Sequence, residues 1–197
     1  MGNWTKRWRK TFDVDMKKTM IYIAVIVLLL TVVLSLVYES NRIVILFSLA
    51  ITMGTIAYHI WMRLLVGLAF DSLMCNKADI SNRWYQIRTW EKKLYKTLGV
   101  KKWKTKMPTF VPDYFSHNTH SWDEIAQAMC QSELVHEVIV ILSFVPIITS
   151  IWFGALPVFI ITSTLAALFD LIFVIIQRYN RTKIIMLMRR QRNERGI

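Results

Sequence analysis

The chain has 197 residues, of which 54% are apolar, and it carries a formal net charge of +12. Long uncharged runs exclude an ordinary soluble protein, and the length indicates one membrane domain over residues 1–197. The basic residues gather before the first apolar run, between the second and the third, and after the fourth. Four spans would put these regions on one side, so the positive-inside rule predicts a multi-pass cell-membrane protein with both termini cytoplasmic. The charge predicts contact with anionic phospholipids, and no nucleic acid is needed to explain it.

Four apolar runs are long enough to cross a hydrocarbon core of about 30 Å as helices. They predict an all-α integral membrane fold, with four transmembrane helices arranged as two hairpins and with amphipathic cytoplasmic interfacial helices. The second helix is expected to continue to Met74. The predicted order is an interfacial N-terminal helix at 1–18, a first hairpin at 19–62, a cytoplasmic interfacial region at 76–132, a second hairpin at 134–176 and a basic cytoplasmic tail at 177–197.

The cytoplasmic region is predicted to contain one amphipathic helix over residues 84–98, ended by Gly99. Glu91 falls on the apolar stripe of this helix, where a carboxylate needs a partner. Trp103 and Lys104 follow within a basic run. Such a run could bind phosphate or anionic lipid, and a solvated interfacial loop is the alternative.

The third predicted span begins with two carboxylates and an imidazole, Glu133, His136 and Glu137, which share one helix face at i, i+3 and i+4. Because residues at i and i+3 share a helix face, Glu133 can hydrogen-bond the imidazole and orient it as an acid/base catalyst. The alternative is that acids at a helix start favour the positive end of the dipole and that His136 is a satisfied interfacial histidine.

An acid also lies inside the fourth apolar run, at Asp170, where a carboxylate is a candidate functional group. Arg181 or His136 could be its partner, and a purely structural ion pair is the alternative. If spans three and four form an antiparallel pair, Glu133 and His136 reach the membrane level of a polar run in span four. That run consists of Gln177, Arg178, Tyr179, Asn180 and Arg181.

Other site chemistries lack their usual patterns. His117 and His120 have no further metal ligands nearby, so no metal is predicted. Neither Cys130 nor Ser132 belongs to a recognisable nucleophile motif, which makes a covalent acyl-enzyme the less favoured mechanism.

Several stretches together resemble the glycosyl-4,4'-diaponeurosporenoate acyltransferase family, over roughly residues 84–196. They are Trp90-Glu91-Lys92, the run 100–104 with Pro108, the run 132–136 and the run 177–181. The resemblance implies a small membrane enzyme of staphyloxanthin-type carotenoid synthesis that esterifies a sugar hydroxyl with a fatty acyl chain. The chain departs from the family pattern at Gln131, where the family has Arg, and at Glu137, where it has an aromatic residue.

The leading hypothesis is therefore an acyltransferase at the cytoplasmic leaflet, with His136 as general base on a hydroxyl of a lipid-linked acceptor. Its acyl donor, acyl-CoA or acyl carrier protein, would be a co-substrate, and no other cofactor is predicted. The hypothesis from another class is a non-catalytic scaffold whose basic face recruits enzymes or anionic lipid. Beside the catalytic pair His136 and Glu133, the predicted substrate-binding residues are Glu91, Trp103, Lys104, Asp170, Gln177, Arg178, Tyr179, Asn180 and Arg181.

Overall fold

The structure of the protein is a computed structural model that describes residues 3–104, 107 and 112–194. The first two residues of the predicted interfacial helix, residues 105–106 and 108–111 of the predicted cytoplasmic region, and the end of the predicted tail at 195–197 lie outside the described residues. Within the described part the secondary structure is helical, without strands. The helices are α1 (Asn3–Asn41), α2 (Val44–Met74), α3 (Thr89–Thr97), α4 (Val100–Trp103), α5 (Trp122–Leu142), α6 (Val145–Phe153) and α7 (Leu156–Glu194), with 3₁₀ turns at Arg83–Tyr85 and Pro112–Phe115.

Among the described residues, four helical segments are long and apolar enough to cross a membrane, which confirms the predicted all-α membrane fold with four spans. They are Lys18–Asn41, Val44–Met74, Trp122–Phe153 and Leu156–Gln191. Their arrangement as two hairpins stays a prediction. The predicted boundary at residue 18 falls inside α1 and does not interrupt it.

Several helices extend beyond the predicted apolar runs. The continuation of α2 to Met74 is confirmed. Helix α5 begins at Trp122 because Ser121 and Glu124 form a capping box: the Ser121 N–H donates to Glu124 Oε2 at 2.7 Å, and the Glu124 N–H donates to Ser121 Oγ at 3.3 Å. Helix α7 has 39 residues, so it is about 58 Å long at 1.5 Å per residue and reaches well past a hydrocarbon core of about 30 Å.

The helix predicted over residues 84–98 is shorter than expected. Asn82 Oδ1 accepts a hydrogen bond from the Trp84 N–H at 2.9 Å, which starts a 3₁₀ turn, and the backbone is extended at Gln86 and Arg88 before α3 begins. The predicted end is confirmed, since Gly99 adopts the left-handed conformation at φ 60°.

One compact unit comprises residues 1–67 and 138–169. In it α5 ends at Leu142, and Pro146 lies in the first turn of α6. Proline has no N–H, so the Leu142 carbonyl loses the partner that a continuous helix would provide. The Tyr58 hydroxyl of α2 donates to this carbonyl at 2.9 Å and satisfies it.

Replacing Tyr58 with phenylalanine is expected to lower the free energy of unfolding by about 1–3 kcal/mol, because the Leu142 carbonyl is left without its donor. The thermal unfolding midpoint of the purified protein in lipid nanodiscs measures this change. Tyr22→Phe is the matched control, since the Tyr22 side chain is largely exposed on α1. Equal unfolding midpoints for the two variants would show that the hydrogen bond from Tyr58 to the Leu142 carbonyl does not stabilise the folded protein.

The other unit comprises residues 68–137 and 170–197. Its apolar core joins Ile125, Ala126 and Met129 of α5 to Ile184 of α7. This packing holds the C-terminal part of α7 against the first half of α5. The polar residues that lie on these two stretches are thereby brought together.

Candidate functional site

Two arginines of α7 bind one buried glutamate of α5. Arg178 Nη1 donates to Glu133 Oε1 at 2.9 Å, and Arg181 Nη1 donates to Glu133 Oε2. The Glu133 side chain is completely buried, so both of its oxygens are compensated by guanidinium groups and not by water.

Glu91 supplies a second carboxylate to this network, so the prediction that it needs a partner is confirmed. Arg178 Nε donates to Glu91 Oε2 at 3.0 Å, and Arg178 Nη2 donates to Glu91 Oε1 at 3.1 Å, which is a bidentate pair. The Tyr95 hydroxyl donates to Glu91 Oε2 at 2.9 Å. Burial, and after it this hydrogen bond, raises the pKa of Tyr95.

The same arginines hold the irregular segment before α3. Arg181 Nη2 donates to the Tyr85 carbonyl at 2.7 Å and its guanidinium lies 5.0 Å from the centroid of the Tyr85 ring. Arg178 Nη2 donates to the Trp84 carbonyl at 3.3 Å, and the Trp84 indole donates to Glu137 at 2.8 Å. Burial raises the pKa of Tyr85 to about 12. Both guanidiniums are thus bound by carboxylates and carbonyls of the chain. The substrate-binding role of Arg178 and Arg181 stays a prediction.

The imidazole of His136 pairs with Asp170 across α5 and α7. Nδ1 of His136 lies 3.0 Å from Oδ1 of Asp170, whose side chain is 1% exposed. The Phe173 ring stacks on the imidazole with centroids 4.9 Å apart and an interplanar angle of 13°, which fixes the plane of the imidazole. Among the described residues Nε2 has no hydrogen-bond partner, and the side chain is 22% exposed.

This pairing corrects the prediction that Glu133 orients His136. Both oxygens of Glu133 are bound by full positive charges, which compete for a carboxylate better than a neutral imidazole does. Asp170, and not Glu133, contacts the imidazole. The sequence predicted His136 or Arg181 as the partner of Asp170.

A third cluster lies on the face of α7 that carries Tyr179 and Asn180. Lys104 Nζ donates to Asn180 Oδ1 and lies 4.9 Å from the centroid of the Tyr179 ring. Lys183 Nζ lies 5.7 Å from the same centroid. Sequence reasoning selected Lys104, Tyr179 and Asn180 but missed Lys183, although it follows Tyr179 at the i+4 spacing that signals a shared helix face.

Two predicted residues lie apart from these hydrogen-bond networks. The Trp103 indole donates to the Leu98 carbonyl at 2.9 Å, so it closes the turn between α3 and α4. Gln177 is buried on α7, and its side chain makes no hydrogen bond with the described residues.

Gln131 has a structural role at the end of α2. Its Nε2 donates to Asp71 Oδ1 at 2.8 Å, and its Oε1 accepts from the Asn76 N–H at 2.7 Å. Cys75 and Asn76 have positive φ angles of 50° and 57°. The Gln131 amide therefore holds the left-handed turn that ends α2.

Four apolar spans and a polar cluster on α5 and α7 define a multi-pass, all-α membrane protein with a candidate acid/base site. The sequence model of the glycosyl-4,4'-diaponeurosporenoate acyltransferase family matches residues 81–190, which is more than half of the chain. The chain belongs to this family, and membership indicates a membrane acyltransferase. All three clusters lie within the matched residues. The search of curated proteins gave no match, and neither did the search of solved structures.

Proposed function

We propose that the protein transfers a fatty acyl chain to a sugar hydroxyl of a glycosylated lipid at the cytoplasmic leaflet, with His136 as general base and Asp170 as its orienting partner. The observation that supports this proposal is the contact between His136 Nδ1 and Asp170 Oδ1, which leaves Nε2 open. In a neutral imidazole bound in this way, Nδ1 carries the proton and Nε2 accepts one.

The chemistry needs one base and a good leaving group. Nε2 of His136 accepts the proton of the acceptor hydroxyl as its oxygen attacks the carbonyl carbon of an acyl thioester. The buried carboxylate of Asp170 stabilises the imidazolium that forms. The tetrahedral intermediate then collapses, the carbon–sulfur bond breaks, and the imidazolium returns its proton to the departing thiolate. The products are an ester and a free thiol.

The arginine–glutamate network has a supporting role in this proposal. Arg178 and Arg181 are neutralised by Glu91 and Glu133, so they are poorly placed to attract a further anion. They tie the segment before α3 to α7, the helix that also carries Asp170. The acceptor would be a glycosyl-4,4'-diaponeurosporenoate, as the name of the family states.

Product analysis tests the reaction class and the acceptor together. Purified protein in nanodiscs is incubated with acyl-CoA and glycosyl-4,4'-diaponeurosporenoate, and the lipids are analysed by mass spectrometry. We expect a product heavier by one acyl group, with the new ester on the sugar. The matched acceptor is 4,4'-diaponeurosporenoate without the sugar, which should give none.

Two results would count against the proposal. An acylated product from the sugar-free acceptor would reject a sugar hydroxyl as the nucleophile. Absence of acylated product with acyl-CoA, acyl carrier protein and phospholipid donors, from protein with an intact thermal transition, would favour the non-catalytic scaffold.

A further inference from the structure

Lys104 and Lys183 form a positively charged pair that no carboxylate balances within the described part of the chain. Both ammonium groups lie over the Tyr179 ring. The contrast with the neighbouring arginines is clear, since Arg178 and Arg181 each bind at least one buried carboxylate. The two lysines can therefore bind an anion that is not part of the chain.

The electrostatics favour such an anion. Burial lowers the pKa of Lys104, and the nearby charge of Lys183 lowers it further. Two ammonium groups over one ring repel each other, and an anion bound between them would remove that repulsion. Asn180 adds to the site: its Oδ1 accepts from Lys104, so its amide N–H groups are directed elsewhere and can donate to a ligand.

We infer that Lys104, Lys183 and Asn180 bind the phosphate of a phosphopantetheine-type acyl donor, an inference that rests on the proposed function. Three groups that donate hydrogen bonds, two of them charged, match the oxygen-rich surface of a phosphate. Both ammonium groups contact the Tyr179 ring, which holds them near one another.

The separation along α7 agrees with this donor. Asn180 follows Asp170 by ten residues in one continuous helix, which places them about 15 Å apart along its axis. Asn180 also follows Phe173 by seven residues, so it lies on nearly the same helix face as the ring that stacks on His136. About thirteen bonds separate phosphorus from sulfur in phosphopantetheine, the backbone length of roughly four extended residues or ~15 Å. A phosphate at the lysines would therefore let the thioester reach the level of His136.

Equilibrium binding of coenzyme A to the full chain in phosphatidylcholine nanodiscs tests this site without requiring turnover. Lys104→Met and Lys183→Met should each weaken binding by about 10- to 100-fold, the range expected for loss of one charge-assisted hydrogen bond. Lys101→Met is the matched control, because Lys101 is an exposed lysine of α4 that makes none of these contacts. Pantetheine, which has no phosphate, should bind weakly and equally to all four proteins.

A second arm distinguishes the source of the phosphate. The same four proteins are prepared with phosphatidylglycerol, and the lipid retained after delipidation is quantified by mass spectrometry. If coenzyme A does not bind and phosphatidylglycerol is retained in a lysine-dependent manner, the site is a headgroup site and the inference is overturned. Equal coenzyme A affinity in all variants also overturns it. If coenzyme A binding depends on the lysines but no acyl transfer occurs, this inference is supported and the proposed function is rejected. If the protein transfers an acyl chain from a phosphate-free thioester but does not bind coenzyme A, the proposed function is supported and this inference is rejected.

Discussion

Replacing His136 with alanine is expected to lower the rate of acyl transfer by about 10²–10⁴-fold, the usual contribution of a positioned general base. Asp170→Asn is expected to cause a loss of the same order, because asparagine keeps the shape of the side chain but supplies no charge to stabilise an imidazolium. Since the two side chains act as one unit, the double variant should be no slower than the slower single variant. Initial rates in nanodiscs at saturating and subsaturating donor concentrations measure kcat and KM for all three.

A structural role would give a different pattern. If Asp170 merely stabilised the helix pair, its replacement would lower the amount of folded protein, and kcat per folded molecule would stay constant. His120→Ala is the matched histidine control, since His120 lies in the segment before α5 and its imidazole lies 3.8 Å from the exposed carboxylate of Glu124. Losses that multiply in the double variant, or full activity of His136→Ala, would contradict the catalytic pair.

The helices were predictable from the sequence because their cause is local. A run of about 20 apolar residues has few stable alternatives to a membrane-spanning helix, so the number of spans and the helical class follow from pattern alone. The boundaries were less predictable. The start of α5 is set by Ser121 and Glu124, a capping box that the sequence displays. The break before α6 is set by Pro146. The donor to the freed Leu142 carbonyl is the hydroxyl of Tyr58, which lies far away in the chain.

The site shows the same division between local and distant causes. Helical spacing predicted that the polar residues of α5 and of α7 lie at one level, and the structure pairs Glu133 with Arg178 and Arg181, and His136 with Asp170. Spacing could not indicate which carboxylate binds which cation, because Glu133 lies one turn from His136 on its own helix and also faces two arginines of another. The competition is decided by charge: guanidiniums hold Glu133, and the imidazole pairs with Asp170. Pairings between helices of this kind depend on packing, which a single sequence does not display.

Glu133→Ala is expected to cause the largest loss of stability of any single change in this network, about 3–5 kcal/mol. The substitution removes the carboxylate from Arg181, a side chain that is 2% exposed, and leaves a buried charge without its main compensation. Cys130, one turn before Glu133 and fully buried, reports the opening of this region. In a Cys75→Ser background, the rate of maleimide labelling of Cys130 should rise by about 10²-fold or more, because each 1.4 kcal/mol of opening free energy is a factor of ten.

The chain supplies an exposed ion pair for comparison. Glu39 and Arg42 lie 2.6 Å apart with side chains 62% and 66% exposed, so the same chemical contact occurs there in water. Glu39→Ala should therefore change the thermal midpoint little, by an amount equivalent to less than about 1 kcal/mol, and should leave Cys130 labelling unchanged. The difference between the two variants isolates burial as the cause of the cost. Similar midpoints for Glu133→Ala and Glu39→Ala would mean that water reaches Arg181 in the folded protein, and the network could not then hold the segment before α3 against α7.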